Sequence, residues 1–273
     1  MQIHRTRAGL LAAALLSFLA AAAVVTGASG PVAAATGSSG AGVVGPGAQL
    51  VTAGRTCTAN FVFRAERRLY VGYAASCATR RAATGGNACT ARSLPLGTSV
   101  RLADRGRTLG YGELRYSSLR AMRRAGVTDA ATCAANDFAL VRVRGALRRQ
   151  VVATMPYWGG PSGLGELPAA GTTVFGLTRP SPGARTLPRA GQVTVADGGT
   201  ATVNTPLASG RSARGSGFLD DAGRAVGILT TSTAAGDNAV VSLADAVAFA
   251  GGHGLPGLVL VPGRSGFSGA ATL

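Results

Sequence analysis

Short apolar runs recur along this chain, several with the period-two alternation of a half-buried strand, and Gly, Pro, Asp or Asn cuts off each one. The runs at 59–63, 68–75, 99–102, 108–114, 138–143, 172–175, 192–196, 200–205, 225–230, 239–242 and 258–261 are predicted strands. Asp220-Asp221-Ala222-Gly223, between Phe218-Leu219 and the 225–230 run, reads as a tight hairpin turn. Many short strands with turn residues between them point to a β-sandwich or barrel. Two stretches break the pattern. Ser117-Ser118 can cap a short helix with Leu119 and Met122 on one face, ended by Gly126. A second helix covers 243–250 and is stopped by Gly251-Gly252. Pro156-Tyr157-Trp158-Gly159-Gly160-Pro161 punctuates the middle and suits a linker between two halves.

The beginning of the chain follows a different rule. His4, Arg5 and Arg7 precede an apolar run from Ala8 to Val25 interrupted only by Ser17, and Ala33-Ala34-Ala35 then offers a small-residue cleavage site. A membrane anchor is the rival reading, because the run approaches spanning length. Small residues dominate it and its far flank is uncharged, which favours a cleaved export signal. The expected division is therefore 1–35 signal, 36–50 flexible start of the mature chain, 51–155 a basic first half, and 156–165 linker. A second half with the late helix then fills 166–262, and 263–273 is a tail. No later run is long and apolar enough to span a bilayer, so a secreted monomer with no transmembrane span is expected.

Composition sharpens this picture in two ways. There is no Lys, and the positive charge is lopsided: 18 Arg face 5 acidic residues from Arg55 to Arg149, against 7 and 6 from Gln150 to the end. Arg120, Arg123 and Arg124 fall on the helix face away from Leu119 and Met122, and Arg142, Arg144, Arg148 and Arg149 follow closely. These seven are the candidate anion-binding residues, set against the plainer reading of a solvated surface. Aromatics are few among them, so base stacking is unsupported and nucleic acid is not the expected partner. The expected partner is an unidentified protein or an anionic envelope polymer. Cys57, Cys77, Cys89 and Cys133 form an even set that in an exported chain implies disulfides, in any of three pairings. No C-x-x-C unit is present and His253 is the sole histidine beyond His4, so neither a metal nor a cofactor is expected.

Three segments, in order, resemble the trypsin/chymotrypsin family of serine peptidases, in particular its small exported bacterial members. Cys57-Thr58-Ala59-Asn60-Phe61-Val62-Phe63 with Tyr70-Val71-Gly72-Tyr73-Ala74-Ala75-Ser76-Cys77 is similar to the family's strand pair ending in Ala-Ala-His-Cys. Asn136-Asp137-Phe138-Ala139-Leu140-Val141 is similar to its Asp-containing strand. Ser212-Ala213-Arg214-Gly215-Ser216-Gly217, followed by Gly223 to Thr230, resembles its Gly-Asp-Ser-Gly segment and downstream hairpin. The resemblance implies an all-β fold of two six-stranded antiparallel β-barrels with a short C-terminal helix. It also implies a Cys57–Cys77 disulfide, which leaves Cys89 with Cys133.

In that alignment Ser76 takes the place of the catalytic His and Arg214 that of the nucleophile, while Asp137 is retained. Triad chemistry needs an imidazole to take the nucleophile's proton, and on this register nothing is expected to do so. The residues therefore read as a vestigial triad, and the chain as a secreted homologue that is not an enzyme and acts by binding. An exported serine-type hydrolase with a non-standard catalytic set is the alternative. A set of Ser212, Asp220 and His253 is disfavoured, since no Gly-x-Ser-x-Gly elbow surrounds Ser212. For the buried carboxylate two arrangements stay open. Either Arg214 turns inward and pairs with Asp137, or Arg214 points outward and backbone amides and water hold Asp137.

Overall fold

Burying one face of each alternating strand requires a second layer, and the chain supplies it by folding into two antiparallel β units. The computed structural model describes residues 42–80, 88–205, 211–233 and 235–269. The proposed signal at 1–35 lies outside the described residues.

The first unit contains β1 (Gln49–Thr52), β2 (Arg55–Thr58), β3 (Val62–Ala65), β4 (Arg68–Tyr73), β5 (Ser99–Asp104), β6 (Arg107–Ser117) and β7 (Ala139–Val143). The second contains β8 (Thr173–Thr178), β9 (Leu187–Asp197), β10 (Thr200–Asn204), β11 (Gly217–Leu219), β12 (Ala225–Ser232) and β13 (Asp237–Ser242). These six close into a barrel in the order β10-β13-β12-β11-β8-β9. A last strand, β14 (Val259–Leu260), returns to the first unit and pairs with β3. The first sheet thus has eight strands, ordered β14-β3-β4-β7-β6-β5-β1-β2. Six strands had been expected there. The β1–β2 hairpin, which buries Leu50 and Cys57 outside the predicted runs, and β14, which falls in the predicted 258–261 run, extend it.

Three helices complete the fold: α1 (Ser118–Ala125), α2 (Ala130–Ala135) and α3 (Leu243–Gly252). Gly126 ends α1 in the left-handed conformation, with its N–H on the carbonyls of Arg123 and Met122. α2 was not anticipated, being a short Ala-rich turn with no amphipathic period. Asp129 caps it by accepting from the Thr132 N–H at 2.8 Å.

Two segments differ from the sequence reading. The start expected to be flexible, 36–50, is folded from Gly42 onward: Val44, Ala48 and Leu50 are buried, and the Val44 N–H donates to the Gln150 carbonyl. Its small residues hide the apolar anchors that pin it. The expected linker and tail pack on each other. Trp158 is fully buried, its Nε1–H donates to the Gly176 carbonyl at 2.7 Å, and its ring meets Phe175 edge-on, with Phe267 on the far side of Phe175. The Ser268 N–H closes the arrangement on the Trp158 carbonyl.

One cluster of buried residues is shared by both units. Phe61, Phe63, Tyr70, Phe138 and Leu140 of the first meet Trp158, Phe175, Leu219, Ile228 and α3's Leu243 and Ala250 of the second. The junction is thus core, and the loops meeting along it hold fixed positions. The disulfides are Cys57–Cys77 and Cys89–Cys133, closing 20 and 44 residues of sequence, and no described cysteine is free. By chain-entropy reasoning each contributes about 3–4 kcal/mol.

Candidate functional site

Ser76, Asp137 and Arg214 come from three distant stretches of sequence. Tyr73 at the end of β4 lies opposite Ala139 at the start of β7, so the residues just beyond these ends, Ser76 and Asp137, become neighbours. Ser76 sits on a turn of 3-10 helix, Ala75–Ala78, which the Cys57–Cys77 bond ties to β2. From β2, Thr58 reaches the second unit: its Oγ1–H donates to the Ser212 carbonyl at 2.7 Å and its N–H to the Arg214 carbonyl at 2.8 Å. That stitch sets the loop carrying Arg214 against the turn carrying Ser76. Gly215 makes the approach possible. Its φ is +91°, and a Cβ there would stand 2.5 Å from the Thr58 carbonyl oxygen and 2.9 Å from the Ala74 nitrogen.

Asp137 is buried and its main chain is clamped. Ser118 Oγ donates to the Asn136 carbonyl and accepts from the Phe138 N–H, bracketing Asp137 on both sides. Ser118 thus serves the site; neither it nor Ser117 caps α1 through its side chain. The carboxylate accepts the Ser76 N–H on Oδ1 at 2.6 Å and the Ser76 Oγ–H on Oδ2 at 2.8 Å. Burial pushes its proton affinity above the ordinary carboxylate value; the two Ser76 bonds and the positive charge of Arg214 oppose that rise. Arg214 acts on it by charge alone, for among the described residues no guanidinium forms an ion pair with Asp137. The inward pairing of Arg214 is therefore not adopted. The Ser76 amide and hydroxyl each hold one oxygen of the carboxylate.

The raised value fixes a sign. The folded chain holds the Asp137 proton more tightly than the unfolded chain does. The associated stability is full below the ordinary carboxylate value of about 4 and is lost as pH rises through the raised one. Asp137→Asn, which cannot titrate, flattens this slope in unfolding free energies measured from about pH 4 to 7. Asp137→Ala leaves the Ser76 N–H without its acceptor and costs about 1–3 kcal/mol at about pH 4, a difference that shrinks as pH rises.

Other candidates are committed elsewhere. Ser212 is buried with its hydroxyl on the Arg179 carbonyl, and Ser216 is wholly buried. Asp220 holds its own hairpin, accepting from the Ala222 and Arg224 N–H groups and from Arg224 Nε. His253 stacks on Phe249 at the exposed end of α3, with Nδ1 against the Phe249 carbonyl. Ser212, Asp220 and His253 do not form a set. Among the described residues no group of His, Cys, Asp and Glu could hold a metal. Of the seven candidate anion-binding residues, Arg120, Arg123 and Arg124 gather on α1. Arg144 is taken by Glu113 at 2.6 Å, and Arg148 reaches the Arg67 carbonyl. Arg142, on β7, and Arg149, on the exposed turn of 3-10 helix Gly145–Gln150, lie apart from that group. Sequence reasoning missed Thr58 and Ser118, ordinary strand and cap residues whose roles depend on long-range contacts.

No protein-family model and no curated protein matches the sequence. Solved structures do. A glutamic-acid-specific serine protease covers 80% of this chain over all of its own length, at 15% identity and a TM-score of 0.50. Protease A of Thermobifida fusca covers 81% over all of its own length, at 15% identity and a TM-score of 0.49. A Glu endopeptidase covers 74%, over 86% of its own length, at 17% identity and a TM-score of 0.49. The fold is that of the bacterial trypsin-like serine proteases. This corrects the reading of the chain as a non-enzyme, which the fold does not support: the solved structure that shares it is a serine protease. That reading assumed that without an imidazole nothing in the site can draw a proton from a hydroxyl. The folded chain places the hydroxyl of Ser76, a partly buried residue, on a buried carboxylate of raised proton affinity.

Proposed function

We propose that this protein is an exported serine-type hydrolase of the trypsin-like fold with a non-standard catalytic set, Ser76 as nucleophile and Asp137 as its base. The observation that carries this is the 2.8 Å bond from Ser76 Oγ to Asp137 Oδ2, on a residue that is only partly buried. A carboxylate pushed upward by burial is a better proton acceptor than an ordinary one, because a base is most effective with a pKa near the working pH.

The chemistry balances without a further group. Ser76 Oγ attacks the carbonyl carbon of an ester or peptide, and its proton passes to Asp137. The oxyanion forms beside the positive field of Arg214, the one cation that acts on Asp137. Collapse breaks the bond to the alcohol or amine, which takes the proton from Asp137. Water then attacks the acyl-Ser76 ester and gives a proton to Asp137; collapse breaks the bond from the acyl carbon to Ser76 Oγ, Oγ takes that proton back from Asp137, and the acid leaves. Export is supported by the two disulfides, which persist in oxidising compartments, and no described helix is long and apolar enough to cross a membrane.

Hydrolysis of an activated ester tests this. The rate is expected to rise with pH through the Asp137 titration, and Ser76→Ala and Asp137→Asn are each expected to reduce it to near the uncatalysed rate. Equal rates for wild type and Ser76→Ala at matched fold stability would overturn the proposal.

A further inference from the structure

We infer that α1 carries a binding site for a phosphoryl group, in a recess of about 250 Å³ lined by Ser93, Arg120, Arg123 and Arg124. The recess is smaller than the usual 300–1,000 Å³ of a pocket for a drug-sized ligand, which suits one compact oxyanion. Arg120, Arg123 and Arg124 stand at i, i+3 and i+4, the spacing that brings helical side chains together on one face. Like charges so placed repel, and among the described residues no carboxylate closes an ion pair with any of them.

A plain account explains only part of this. Arg123 and Arg124 lie in the last turn of α1, where the helix dipole favours cations. Arg120 lies in the first turn, at the positive end of the dipole, and no acidic residue accompanies it there. Arg120 is half-buried, and its Nε is buried with no hydrogen-bond partner. An unsatisfied buried donor costs about 1–3 kcal/mol. A bound tetrahedral oxyanion would offset the three positive charges and accept from the forked guanidiniums of the residues that line the recess. Ser93, whose Oγ–H now donates to the Leu94 carbonyl, adds a rotatable hydroxyl at the rim.

The site is rigid before any ligand arrives. On its other face α1 buries Leu119 and Met122 in the first unit's core. Cys89, beside α1 with its sulfur 3.7 Å from Met122 Sδ, is bonded to Cys133 of α2. Among the described residues no aromatic ring lines the recess, so the ligand is recognised as a phosphoryl group and not through a stacked base.

The test is calorimetric titration of the full folded chain with orthophosphate, and separately with tripolyphosphate, at low and physiological salt. Saturable binding that weakens with salt is expected. Arg120→Gln combined with Arg123→Gln should weaken it at least about tenfold, since a hydrogen bond to a charged group is worth about that factor or more. Gln keeps the helix propensity of Arg, and an unchanged circular dichroism spectrum and melting temperature confirm folding. Arg148→Gln with Arg149→Gln should change affinity less than twofold, and Ser76→Ala should bind as wild type does. Tighter binding of tripolyphosphate than of orthophosphate would assign the site to a polyphosphate-like chain; similar affinities would assign it to a free or terminal phosphate. Absence of binding, or equal loss in the Arg148/Arg149 pair, overturns the inference.

Discussion

Trp158→Ala is expected to cost about 3–5 kcal/mol of folding stability, read as a lower denaturant midpoint with an unchanged slope. The indole fills the junction between the two units and packs edge-on against Phe175, which Phe267 covers from the other side. Truncation opens a cavity that neither ring can fill without leaving the other. It also removes the donor to the Gly176 carbonyl. Trp158→Phe separates the two contributions: it keeps most of the apolar contact, loses the hydrogen bond, and should cost about 1–3 kcal/mol. A surface linker with no part in the fold would tolerate both changes within experimental error.

The second large effect belongs to Gly215. An Ala there must hold φ near +91°, a conformation that costs a non-glycine residue about 1–3 kcal/mol. Its methyl group also meets two main-chain atoms, the Thr58 carbonyl oxygen and the Ala74 nitrogen, neither of which can rotate away. The loop holding Arg214 must then withdraw from the turn holding Ser76. Hydrolysis by Gly215→Ala is expected to fall by about 10²-fold, as for a misplacement of roughly 1 Å at a reacting centre. Secondary structure by circular dichroism should be retained. A Gly215→Ala protein with full activity would show that the Thr58–Arg214 stitch does not set the site.

The strand pattern was legible because alternating positions and turn residues are local signals. The Asp220–Gly223 hairpin and α3 follow directly from them. The residues that tie the site together were less visible. Ser118 looks like a helix cap and works as a clamp around Asp137, because the β6–α1 corner happens to pass the β7 entrance. Val44 and Leu50 look like part of a flexible small-residue start and are core, because their burial depends on the Val44–Val151 bridge and the β1–β5 pairing. Ser76 and Asp137 meet in the fold, but the chemistry of the candidate triad positions was judged from residue type alone. The bond between Ser76 and Asp137, and the effect of burial on that carboxylate, belong to the folded chain and not to the letters of the sequence.

The catalytic set proposed here turns on Ser76, and an active-site-directed fluorophosphonate tests it most directly. Peptide mapping of the treated native protein should find one phosphonyl adduct, on Ser76, with labelling lost in Asp137→Asn and after heat denaturation. Labelling confined to another serine, or no labelling of a protein that hydrolyses esters, would contradict the account.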